Sequence, residues 1–170
     1  MKKLLFALVL ALVSTQAVLA QGPEQSVGLR YGAVFGLGTE ISYQRSLISG
    51  KRLEFDLGFN SRYEYINTLR QDYNSWALSG LYQWIWKLDK VDANLSWYAG
   101  YGGKMGFWSS SQKYDSRYKN GLFLVAAGDV GIQYAFPAGI TFGLNARPEL
   151  GLYNQGIGVN LGFAVRYQFR

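Results

Sequence analysis

From Ser26 to Phe169 the chain alternates apolar and polar residues with a period of two. Successive side chains of an extended strand point to opposite faces, so this period predicts strands with one face toward an apolar medium. The alternation falls into eight runs. The first sets Val27, Leu29, Tyr31, Ala33 and Phe35 against Gly28, Arg30, Gly32, Val34 and Gly36. The second sets Ile41, Tyr43 and Leu47 against Glu40, Ser42, Gln44 and Ser46. In the third, Leu53, Phe55, Leu57, Phe59, Tyr63 and Tyr65 alternate with Glu54, Asp56, Gly58, Asn60, Arg62 and Glu64. The fourth places Trp76, Leu78, Gly80, Tyr82, Trp84 and Trp86 opposite Ala77, Ser79, Leu81, Gln83, Ile85 and Lys87.

The fifth run has Leu95, Trp97, Ala99, Tyr101, Met105 and Phe107 on one face, with Asn94, Ser96, Tyr98, Gly100, Gly102, Lys104 and Gly106 on the other. The sixth has Leu122, Leu124, Ala126, Val130, Ile132, Tyr134 and Phe136 against Phe123, Val125, Ala127, Asp129, Gly131 and Gln133. The seventh has Ile140, Phe142, Leu144, Ala146 and Leu150 against Thr141, Gly143, Asn145, Arg147 and Glu149. The last has Val159, Leu161, Phe163, Val165, Tyr167 and Phe169 against Gly158, Asn160, Gly162, Ala164, Arg166 and Gln168.

Tight turn signals follow the second, fourth and sixth runs: Ser49-Gly50-Lys51, Asp89-Lys90-Val91-Asp92 and Pro137-Ala138-Gly139. Longer polar stretches, Asn67 to Asn74 and Ser109 to Asn120, follow the third and fifth. Strands of about ten residues suffice to cross a bilayer at a tilt. Short turns on one side and longer loops on the other belong to an up-and-down membrane barrel. The short connections Gly36-Leu37-Gly38 and Tyr153 to Gly156 make that asymmetry incomplete.

Alternation alone leaves open which face is inside. A soluble ligand-carrying barrel of the lipocalin kind would turn its apolar face inward. Three features favour the reverse. Eight strands enclose an interior only just wide enough for side chains to fill, and the apolar face carries too many rings for that space. The opposite face is rich in Gly, Ser and Ala, and it balances seven acids (Glu40, Glu54, Asp56, Glu64, Asp92, Asp129, Glu149) against seven bases (Arg30, Arg52, Arg62, Lys87, Lys104, Arg147, Arg166). Such pairing suits a closed lumen, where an unpaired charge costs several kcal/mol.

The third feature is aromatic placement. Tyr82, Trp84, Trp86, Tyr134, Phe136, Phe142, Tyr167 and Phe169 cluster at the strand ends that meet the tight turns or the C-terminus. Phe35, Tyr63, Tyr65, Trp76 and Phe107 cluster at the opposite ends, with a mainly aliphatic band between. Two aromatic girdles around an aliphatic band mark a membrane barrel. Arg45 breaks the outward pattern near a strand end, where its charge can reach the head groups.

Composition narrows the chemistry. Aromatics make up 16% of 170 residues, and there are 21 glycines but 3 prolines, which favours an all-β chain. The first twenty residues read as a secretory signal: Lys2 and Lys3, then the apolar Leu4 to Val13, then Val18-Leu19-Ala20 before Gln21. The expected domains are a signal peptide over 1–20, cleaved after Ala20, and a barrel over 21–170. Without Lys2 and Lys3, 15 basic and 11 acidic side chains remain, a formal charge of +4. That charge is mild and holds no basic run, so no nucleic-acid partner is expected.

The chain resembles small eight-stranded outer-membrane β-barrel proteins of Gram-negative bacteria. The residues that carry the resemblance are the signal peptide, the eight alternating runs, the segment Asn145-Ala146-Arg147-Pro148-Glu149 and the final strand ending Arg166-Tyr167-Gln168-Phe169. It is similar to the group known generically as outer-membrane protein β-barrel domains. The resemblance implies an all-β, eight-stranded antiparallel up-and-down transmembrane β-barrel. It also implies outer-membrane lipid and lipopolysaccharide as surroundings, periplasmic chaperones and the barrel-assembly machinery as transient partners, and a monomer. In that family a closing aromatic marks the last strand for assembly; here Phe169 is penultimate and Arg170 follows.

Some small outer-membrane barrels are lipid A-modifying enzymes or proteases that use a histidine as general base. This chain has no histidine and no cysteine. A serine has no such base to activate it, and the usual zinc ligands are missing. Glu54 and Asp56, two apart on one face, are the remaining candidate acid–base pair, but carboxylates facing arginines are more often structural ion pairs. The reading is therefore non-catalytic, with no cofactor and no metal: a structural or surface-binding barrel whose lumen is closed by a charge network of Arg30, Glu54, Asp56, Asp129, Arg147, Glu149 and Arg166. A narrow pore or transporter for small solutes and a soluble lipocalin-like ligand-binding barrel are the alternatives. The basic, aromatic stretch Trp108 to Asn120 (Lys113, Tyr114, Arg117, Tyr118, Lys119) is a candidate surface-binding loop for lipopolysaccharide phosphates or a partner protein.

Overall fold

The computed structural model describes residues 24–34, 38–48, 50–66, 69–110 and 121–169. Eight strands form in chain order: β1 (Gln25–Val34), β2 (Gly38–Leu47), β3 (Lys51–Ile66), β4 (Leu69–Lys87), β5 (Leu95–Ser110), β6 (Gly121–Ala135), β7 (Ile140–Tyr153) and β8 (Ile157–Phe169). Each pairs antiparallel with its sequence neighbour, and β1 closes on β8 from Gln25↔Phe169 to Val34↔Asn160. Closure leaves no sheet edge around the circumference and satisfies the ladder hydrogen bonds within the chain.

The two faces separate as the alternation requires. Arg30 is 1% exposed, while its neighbours Leu29 and Tyr31 are each 57% exposed. The same inversion recurs on every strand: Glu54 and Asp56 are buried and Phe55 is exposed; Phe123 is buried and Leu122 exposed; Arg166 is buried and Tyr167 exposed. The lumen is thus the polar core, and the apolar belt faces outward. Arg45 is exposed at the turn end of β2.

At the turn end the belt closes with packed rings, both across and along strands. Trp86 stacks on Trp97 at 4.4 Å between centroids. Tyr82 meets Trp84 edge-on at 5.0 Å, and Phe136 meets Phe142 at 5.4 Å. At the loop end Phe59, Trp76 and Phe107 form one registered row, and Ser61, Asn74 and Ser109 form the next row out.

Three strands are longer than the pattern predicts. β3 and β5 have 16 residues and β4 has 19. The stretch Asn67 to Asn74, expected to be a loop, is mostly strand: Leu69–Asn74 pair with Ser61–Ile66. The ladder continues for seven residues per strand past the aromatic row, about 23 Å at ~3.3 Å per residue. On β4 the alternation fades over Leu69 to Asn74 although the backbone pairing continues, whereas on β3 it runs on through Tyr63 and Tyr65. Trp108 and Ser109 likewise belong to β5 rather than to a loop, while Lys113, Tyr114, Arg117, Tyr118 and Lys119 lie outside the described residues.

The turns follow local chemistry. Between β6 and β7, Gly139 N–H donates to the Phe136 carbonyl at 3.0 Å, and Gly139 sits at φ +79°, a left-handed value natural to glycine. Between β4 and β5 the Asp92 carboxylate accepts from Asn94 N–H at 2.8 Å. Asn94, expected on the inner face of β5, belongs to this turn. Pro148 lies outward within β7, against Gly128 of β6. Proline lacks the N–H that a ladder needs, and the described β6–β7 register passes from Ala127↔Glu149 to Val130↔Ala146.

Candidate functional site: the lumen network

Lumen-facing positions bring ten ionised side chains into the closed interior: Arg30, Arg52, Lys104, Arg147 and Arg166, with Glu40, Glu54, Asp56, Asp129 and Glu149. They balance in number, as a sealed low-dielectric interior demands. Four further residues counted on this face by alternation are not part of this group. Asp92 is in the β4–β5 turn and Lys87 is exposed at the end of β4. Arg62 and Glu64 are in the β3 extension beyond the aromatic row.

Arg147 is the hub. From β7 its Nη1 donates to Asp56 Oδ2 at 2.7 Å and its Nη2 donates to Glu54 Oε1, both across the lumen on β3. Its Nε donates to Asp129 Oδ1 on β6 at 3.2 Å. Arg166 from β8 adds Nη2 to Glu54 Oε1 at 2.9 Å and Nε to Ser42 Oγ at 2.9 Å. The other oxygen of Glu54 accepts from Gln44 at 2.5 Å and Gln83 at 3.1 Å. Asp129 also accepts from Gln83 at 2.5 Å and Asn145 at 2.7 Å. Arg52 donates to Gln83 at 2.7 Å and Gln133 at 2.6 Å, and it lies over the Tyr98 ring at 4.8 Å.

A second storey lies toward the loop end. Arg30 pairs with Glu40 at 2.8 Å, and Lys104 pairs with Glu149 at 2.5 Å. Asn160 joins them, accepting from Arg30 and donating to Glu149, each at 3.4 Å. Arg30 also donates to Asn145 at 3.3 Å, which links the two storeys. All eight strands contribute to the network, so it ties the wall together across its diameter. Beside it Ala77, Phe123, Val125 and Trp108 fill the β4–β6 side with apolar volume. Space is tight: a Cβ at Gly162 would overlap the Arg30 guanidinium and the Asn145 amide.

The seven residues singled out from sequence, Arg30, Glu54, Asp56, Asp129, Arg147, Glu149 and Arg166, all lie in this network. Adjacency along strands six to eight predicts only part of the wiring. Arg147 does meet its neighbour Asp129, but Arg166 reaches Glu54 across the lumen, and Glu149 takes Lys104 from β5. The named set omitted Glu40, Arg52, Lys104 and the bridging amides Gln44, Gln83, Asn145 and Asn160. Their signal was an inward-phase position, which carries no information on cross-lumen partners.

Glu54 and Asp56 are 0% and 1% exposed and bound to arginines. Neither is presented to a substrate as a free general base. Among the described residues no group of three or more Asp, Glu, His or Cys side chains is placed to hold a metal.

No protein-family model and no curated protein sequence matches the chain. Several solved structures share its fold. The N-terminal β-barrel domain of OprF from Pseudomonas aeruginosa superposes with a TM-score of 0.60 at 13% identity, covering 87% of this chain and 98% of that one. Neisserial surface protein A (NspA) gives 0.57 at 14% identity, covering 86% and 94%. Ail, the attachment invasion locus protein of Yersinia pestis, gives 0.53 at 13% identity, covering 88% and 100%. The fold is that of the small eight-stranded outer-membrane β-barrels. At these identities the likeness establishes the architecture and no particular activity.

Proposed function

We propose that this chain is an integral outer-membrane barrel with a structural or surface-binding role, its lumen closed by the charge network. The observation that carries the reading is the inversion of burial. Charged side chains form the interior, and a continuous apolar belt with aromatic ends faces outward. A soluble chain would not leave so large an apolar surface in water, whereas a bilayer requires this distribution.

On this reading residues 1–20 direct export and are removed after Ala20, leaving Gln21 at the N-terminus. The termini and the three tight turns face the periplasm, the β3–β5 extension stands outside, and outer-leaflet lipid covers the belt. The role is non-catalytic, in keeping with the missing histidine and with carboxylates enclosed by arginines.

The test is refolding. The chain should fold only in detergent or lipid, run heat-modifiably on gels, and give no steady conductance in planar bilayers. Monomeric refolding in plain buffer would overturn the membrane placement. A stable conductance would replace the closed lumen with a narrow pore.

A further inference from the structure

The lumen is not filled along its whole length. On the side of the tight turns it opens into a bowl of about 440 Å³, whose lining includes Ser26, Gln44, Ser96, Gln133, Thr141 and Arg52. The charged residues that line it are Arg52, Lys51 and Lys87 against Glu24, and the Glu24 carboxylate already accepts from Gln168 at 2.8 Å. Asp89 and Asp92 are on the adjacent β4–β5 turn but not in the lining, and Asp92 is engaged by Asn94 and Tyr134.

Arg52 is the distinctive member. It is 4% exposed, and two of its nitrogens are held by Gln83 and Gln133. Its Nη2 makes no hydrogen bond. The nearest carboxylate oxygen, Glu54 Oε2, stands 4.0 Å away. Glu54 already accepts from Gln44, Gln83, Arg147 and Arg166, which uses the roughly four lone-pair positions a carboxylate offers. A buried guanidinium N–H without an acceptor carries a desolvation cost that an incoming acceptor removes. The storey above is already neutral, since Arg52, Arg147 and Arg166 face Glu54, Asp56 and Asp129. The positive charge of Lys51 and Lys87 over Glu24 is therefore surplus to the network and available to a ligand.

We propose that this bowl binds a small polar molecule through an oxyanion, a phosphate or carboxylate, entering from the side of the tight turns. Arg52 anchors the anion at the inner end, as a guanidinium suits planar and tetrahedral oxyanions. Lys51 and Lys87 add charge near the mouth, and the amides and hydroxyls of Gln133, Ser96 and Thr141 meet the polar body.

The test uses the chain from Gln21 folded in uncharged maltoside micelles. Inorganic phosphate and acetate are titrated separately against chloride at equal ionic strength, following the Arg52 Nε–H and Gln133 side-chain amide signals by NMR. Saturable shifts with phosphate, with acetate or with both support the site and tell which oxyanion it prefers. Lys51→Gln with Lys87→Gln, placed outside the buried network, should raise Kd roughly tenfold by removing two charge-assisted contacts. Arg52→Gln should abolish saturation; if that variant does not fold, the lysine pair still decides. Shifts no different from chloride, or unchanged binding in the double lysine variant, would overturn the proposal.

Discussion

The two storeys of the lumen solve one problem in different ways. In the middle storey Arg147 serves three carboxylates on two strands, and Glu54 is shared by Arg147, Arg166 and two glutamines. Toward the loop end the charges stand as discrete pairs, Arg30 with Glu40 and Lys104 with Glu149, with Asn160 between them and Asn145 tying Arg30 to the middle storey. A shared network makes each member depend on the rest, whereas a discrete pair can be removed as a unit. Replacing both partners of a buried pair by apolar groups is often neutral, but removing one leaves an uncompensated charge.

That contrast can be broken by substitution, with stability read from urea unfolding in lipid vesicles. Arg147→Met should have the largest effect, about 3–5 kcal/mol or failure to fold, because Asp56 and Asp129 lose their salt bridges and Glu54 loses one of its two arginine hydrogen bonds together. A cost under ~1 kcal/mol would show that the hub is dispensable. Lys104→Met should cost about 2–3 kcal/mol by stranding Glu149, since Asn160 remains as its donor. The double change Lys104→Met with Glu149→Leu should recover most of that loss. If the double variant is as unstable as the single, the pair is wired into the network and the two storeys do not differ.

Gly162→Ala probes the link between storeys. Its methyl group would displace Arg30 from Asn145, at a cost of about 1–3 kcal/mol for overpacking. Wild-type stability would show that Arg30 has room to move. The smallest effect should be on the outer face: Trp97→Leu keeps the belt apolar and loses the Trp86 stack, about 0.5–1.5 kcal/mol. The same substitution should matter less in a thicker bilayer if the ring's place at the interface, rather than its stacking, carries the effect.

How much of this was legible beforehand varies along the chain. Between Val27 and Phe169 the faces could be read directly, because a charge such as Arg30 beside Leu29 and Tyr31 has one sensible direction in an extended chain. The β3–β4 hairpin was misjudged because Leu69 to Asn74 pair without an apolar face to mark them. Lys87 and Asp92 have the right phase or polarity for the lumen, but Lys87 is exposed at the end of β4 and Asp92 is in the turn, bonded to Asn94 and Tyr134. Arg52 was counted among the inward bases, yet nothing in its neighbours along the chain showed that Gln83 and Gln133 would hold it over Tyr98.

By itself the sequence determined the strand number, the direction of most mid-strand side chains and the sign of each face. These depend on residues one or two apart, and the pleat of an extended backbone converts that spacing directly into orientation. Only the tertiary structure decided that Arg147 meets Glu54 and Asp56, that Lys104 meets Glu149, and that a bowl remains beneath Arg52. Those contacts join residues as much as 93 positions apart. They are set by the stagger at which β1 closes on β8, a property of the whole ring that no single strand carries.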